Sequence, residues 1–282
     1  MTAVTVPAID PLTAPLPTKG RPRRRHVLVA NLRAEWTKLR SVRSTVWTLL
    51  ATVALAVGFG ALIATSQMSS WDTLGDAERL RFDPTSFSLS GLFLAQLAVG
   101  VLGVLVVTSE YATGQIRATL SATPQRLTVL AAKAVTFTAV VLVTGLVASF
   151  AAFWTGQGVF ASKGLAASLG DPGVLRAVVG GALYLAGVGL LGVGIGAIVR
   201  RTAGAVATLV ALLFILPLVT GFLPSSFQEA VGKYFPAQAG MAVFNVVSDP
   251  RALSPWVGYG VLLAYGAVSL VIGALLLLRR DA

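Results

Sequence analysis

Long apolar runs alternate with short polar connections along this chain, and that rhythm sets its elements. Six runs stand out: Thr45 to Ala64, Leu89 to Thr108, Ala134 to Phe153, Ala177 to Val199, Gly204 to Leu223 and Val257 to Leu278. None contains Asp, Glu, Lys or His. A bilayer core of roughly 30 Å needs about 20 apolar residues at 1.5 Å of rise each, and a helix satisfies its own backbone polar groups. Every run reaches that length. The expected fold is an all-α integral membrane protein whose six-span domain occupies 45–282.

The flanking pattern is different. Residues 1–25 carry Pro7, Pro11, Pro15, Pro17 and Pro22 among basic residues, with too few bulky apolar side chains to offset chain entropy. They read as a disordered tail. Over 26–44, Leu28, Leu32, Trp36 and Leu39 recur at spacings of four, four and three, while Arg33, Lys38 and Arg40 take other faces. This predicts a short basic amphipathic helix lying in the membrane interface before it turns into the first span.

Punctuation inside the chain predicts a second short helix. Gly114 can release the second span by adopting a backbone conformation closed to other residues, and Pro124 opens a new helix with Thr123 as its cap. Between them Ile116 and Leu120 share one face and Arg117 another, a shape suited to docking in a groove on a soluble partner. In the fourth run Gly189, Gly192 and Gly196 form a flat face for close helix packing. Pro217 should kink the fifth. The segment Pro224 to Pro255 is too apolar for a solvated loop yet too broken for a span, which predicts short helices dipping into the outer leaflet. Before the second run, a short helix is expected near Asp76 to Arg81.

Charge then assigns sides. Of 22 Lys and Arg, 16 lie before the first run, between runs two and three, between four and five, or after the sixth; seven of the 11 acids lie in the opposite loops. The positive-inside rule places both termini in the cytoplasm of a multi-pass cell-membrane protein. The formal charge of +11 is spent on topology, with no interleaved basic and aromatic surface for nucleic acid.

Other chemistry is thin. There is no cysteine, one histidine, His26, and no catalytic constellation or metal set within the runs. No G-x-x-x-x-G-K-[ST] phosphate loop occurs, so the chain is not expected to be an enzyme or to bind a cofactor. Without an intramembrane carboxylate, an ion-coupled carrier is a weaker reading. Gln96 beside Phe93 in the second run, and Phe214 and Phe222 in the fifth, are candidates to line a translocation path; the alternative for Gln96 is a hydrogen bond to a neighbouring helix. Glu110, at the end of the second run, is either a working carboxylate, pairing with a cytoplasmic Arg, or a solvated span-end group.

The stretch after the second run resembles the coupling region of type-2 ABC exporter permeases. Glu110, Gly114, Ile116, Leu120, Thr123, Pro124 and Lys133 follow that family's pattern in order and spacing. Ala112 and Gln115 depart from it, where many members carry a second acid and a Thr. The helix around Trp36, Lys38, Leu39 and Arg40 is similar to the family's elbow helix, and the apolar outer segment to its short outer helices. The resemblance implies a permease subunit, homo- or heterodimeric, that exports a hydrophobic or amphipathic substrate. A separate ATPase chain would bind the ATP and Mg and be contacted through Glu110, Gly114, Ile116, Arg117, Leu120, Pro124 and Arg126. A polytopic scaffold or sensor that recruits a cytoplasmic protein is the alternative.

Overall fold

The computed structural model describes residues 24–79, 82–122, 125–224, 229–247 and 252–279. Among them all regular structure is helical, and six helices are long and apolar enough to cross a membrane: Arg43–Thr73, Pro84–Ala112, Arg126–Lys163, Val174–Val199, Thr202–Val219 and Pro255–Arg279. The tail expected over 1–25 lies outside the described residues except for Arg24 and Arg25, which already belong to the N-terminal helix Arg24–Ser41. That helix meets the first span through Val42 alone, whose extended backbone breaks the two apart.

Several helices overrun their apolar runs. The third begins at Arg126, eight residues before the run it contains, because Val129 and Leu130 carry its buried side back through its polar start. Gln125 precedes its first turn, while Thr123 and Pro124 lie outside the described residues. Of the short helix expected near Asp76 to Arg81, Asp76–Arg79 is helical and Arg81 lies outside the described residues.

The fourth span is the axis of the bundle. Its most apolar stretch is 78% buried, against 17% for the first and fifth spans and 28% for the sixth, so neighbours surround it while the outer spans keep most of their surface for lipid. Small residues allow this. A Cβ on Gly192 would collide with the Gly100 carbonyl oxygen of the second span, and one on Gly196 would press on Val104. Gly189 fits under Phe137 of the third span. The Gly face thus packs within the chain, where close approach replaces the hydrophobic driving force that lipid cannot supply. The first span does the same with a stripe at every fourth residue, Thr52, Ala56, Gly60, Ala64 and Met68.

The fifth span buries only Ala205, Leu209 and Leu213, one residue per turn. Over Ala211–Ile215 it widens into π geometry just before Pro217, where the missing proline N–H leaves a gap in the hydrogen-bond ladder. Beyond it the chain returns through short helices, Pro236–Met241 among them, with Val243 and Phe244 buried against the fourth and sixth spans.

That end of the bundle is tied by polar side chains. Asp83 caps the helix Pro84–Ser88, accepting from the backbone N–H of Thr85 and Ser86, while its second oxygen accepts from those of Val246 and Val247 at 3.1 Å. Arg176 donates to the carbonyls of Val243 and Asn245, and Gln157 bridges Pro84 and Ser88 to Ala167.

Candidate functional site

The opposite end, where the N-terminal helix sits, holds the densest chemistry. The second span closes with Glu110, its backbone turns left-handed at Gly114 with φ +72°, and the eight-residue helix Gln115–Ala122 follows. A side chain at Gly114 would be strained, so glycine there lets the chain leave the span and fold back.

Four charged side chains close into a ring beneath this turn. Lys38 Nζ donates to Glu35 Oε1 at 3.0 Å and to Glu110 Oε1 at 2.8 Å; Lys133 Nζ donates to Glu35 Oε2 at 2.8 Å and to Glu110 Oε1 at 2.9 Å. Glu35 and Lys38 come from the N-terminal helix, Glu110 from the second span and Lys133 from the third. Glu35, Glu110 and Lys133 are each 4% exposed. Charges cannot be held so deep singly; two acids and two bases offset one another, and each is hydrogen-bonded. Burial opposes the Lys38 ammonium, but its hydrogen bonds to Glu110 and Glu35 outweigh that and raise its pKa above the ordinary 10.5.

The ring corrects two sequence readings. Glu110 is neither solvated nor paired with an arginine; it is buried and shared by two lysines, Lys38 from the N-terminal helix and Lys133 from the third span. The apolar stripe of the N-terminal helix is also split. Leu39 turns inward beside Glu35, while Trp36 is 51% exposed and Arg40 faces outward. The helix packs on the third span through its charged register, with the tryptophan left over.

The short helix uses its apolar face inward. Ile116 is buried, and Leu120 packs against the core beside Val129, Leu130 and Leu277. These two anchor the helix to the bundle and leave Arg117, Ala118 and Ser121 on the exposed side. Arg126 likewise turns away from any outer partner: its Nη1 donates to the Leu277 carbonyl at 3.0 Å. Arg200, in left-handed backbone at φ 60°, donates to the Leu276 carbonyl at 2.9 Å and covers the Tyr111 ring at 5.1 Å. Two arginines therefore satisfy two of the orphan carbonyls at the end of the sixth span.

Among the path candidates, Gln96 is fully buried and accepts a hydrogen bond from the Tyr184 hydroxyl. It joins the second span to the fourth and lines no open path. Phe93 stacks edge-on with Phe214 at 5.1 Å across the second and fifth spans, on an exposed face, and Phe222 is 84% exposed.

Sequence reasoning missed Glu35 and the closure through Lys133. The signals were there: Glu35 is the only acid in a basic stretch, and Lys133 immediately precedes an apolar run, so a longer helix must bury it. Compared with known proteins, the chain matches no family model and no curated protein.

Proposed function

We propose that this chain is the membrane-spanning permease subunit of an ATP-driven ABC exporter, moving a hydrophobic or amphipathic substrate out of the cytoplasm with energy from a separate ATPase chain. The observation that carries this reading is the short helix Gln115–Ala122, anchored by Ile116 and Leu120 and joined through Gly114 to a buried ring spanning three helices. A push on its exposed Arg117 side would be passed to the second and third spans and to the N-terminal helix together, since the ring ties all three. ATP-driven movement of a partner would thus tilt spans as a group, a population shift powered by differential contacts with that partner. The exposed Phe93 with the half-buried Phe214 beside it suits an uncharged aromatic path or a second permease subunit.

The test is reconstitution in proteoliposomes with an ABC ATPase identified by mass spectrometry after pull-down from native membranes. Efflux should require ATP and both chains. Arg117→Glu with Ala118→Glu should abolish pull-down, whereas Gly114→Pro should retain binding and lose coupled hydrolysis. Transport driven by an ion gradient without ATP would overturn the proposal, and so would full coupling in Gly114→Pro.

A further inference from the structure

The ring also forms one wall of an open cleft of about 370 Å³ between the N-terminal helix, the start of the first span and the last turns of the second. The cleft has a polar end, with Lys38, Ser44, Thr45 and Ser109 beside the ring's Glu35, Glu110 and Lys133, and an apolar end, with Leu102, Leu105 and Val106 further along the second span.

Three observations at the polar end point to an anion. Lys38 has three ammonium protons, of which Glu35 and Glu110 take two, and its side chain is 32% exposed against 4–6% for its three partners in the ring. It is the one charge a ligand can reach. The 28-residue first-span helix also starts here, with Val42 supplying no side-chain cap and Ser44 and Thr45 of its first turn lining the cleft, so the positive end of the helix lies beside it. Finally, Thr45 is 5% exposed and lines the cleft, and its hydroxyl takes part in none of the hydrogen bonds that tie these helices.

We propose that this cleft binds the phosphate of a membrane phospholipid, with one acyl chain lying along Leu102, Leu105 and Val106. A cationic head has no place to go, because three of the four carboxylate oxygens face lysines, and Glu110 Oε2, which no lysine reaches, is sealed from solvent. Free phosphate would leave the apolar end unused. The charge-assisted bond from Lys38, the helix terminus and the Thr45 hydroxyl act on one group, and the lipid then wedges the N-terminal helix against the first span. This site stands whether or not the chain exports anything.

Native mass spectrometry of the full chain in detergent, titrated with phosphatidylglycerol, reads the site directly. One phosphatidylglycerol per chain should be retained, diacylglycerol should not compete, and affinity should fall about tenfold in Leu105→Trp, which fills the apolar end, and measurably in Thr45→Val. Neither variant removes a member of the ring, and an unchanged melting temperature checks that each folds. Equal binding of diacylglycerol, or wild-type affinity in both variants, overturns the proposal. Inorganic phosphate that displaces the lipid equally from wild type and Leu105→Trp would assign the site to the free ion and overturn the lipid.

Discussion

At the scale of single residues, the ring makes removal of one charge costlier than its contacts suggest. Lys133→Met leaves the buried Glu35 and Glu110 to share Lys38 alone, one negative charge in excess, and should destabilise the folded chain by about 3–5 kcal/mol, visible as a lowered melting temperature in detergent. Adding Glu110→Gln to it should restore part of the loss, because one stranded charge disappears; no recovery would mean that the ring is not a unit. Because the Lys38 pKa is raised, its contribution is fully present below 10.5 and is lost as pH climbs through the raised value. Melting temperature should therefore be insensitive to this group up to about pH 10.5 and fall above it, and Lys38→Met should remove that alkaline component. Glu110 and Lys133 were legible as positions, since both stand at the margins of apolar runs. Their partnership was not, because Glu35 and Lys133 lie 98 residues apart and only the packing of three helices brings them together.

Elements were legible where one physical signal dominated. An apolar run longer than the bilayer needs can hardly be anything but a span, and the glycines at 189, 192 and 196 announce a close neighbour without naming it. Helix ends were harder: the third span carries a polar overhang from Arg126 that no bilayer argument requires, and it is this overhang that delivers Lys133 to the ring. Gln115–Ala122 was found from Gly114 and its own periodicity, but which face turns inward depends on Leu130 and Leu277, distant in sequence. Close packing makes a sharp expectation here. Gly192→Val forces the second and fourth spans apart and should cost about 1–3 kcal/mol in thermal stability. Gly158→Val, where nothing lies within 4 Å, should be near neutral and serves as the control.

For the whole molecule, the spread of burial sorts the spans into a core and a periphery. The second and third spans are knitted at both ends, by the ion-pair ring at one and by Ser88 and Gln157 at the other, where Asp83 and Arg176 also hold the outer segment to the second and fourth spans. Sidedness can be read cleanly because the chain has no cysteine: with Ser121→Cys and Ser162→Cys as single labels, an impermeant maleimide applied to intact cells should modify only the second. The reverse labelling would invert the topology that the basic residues predict. The fifth span stands apart from the knitted core, and its π turn over Ala211–Ile215 amounts to one residue held in reserve. Deleting Ala211 should let that turn relax to ordinary α geometry and leave Phe222 where it is, whereas deleting Ala207 from the regular part should swing everything beyond it by roughly 100°. Equal damage from both deletions would remove this reading. If they differ, the protein carries a built-in ratchet tooth, able to re-aim the aromatic end of one span without disturbing the five others.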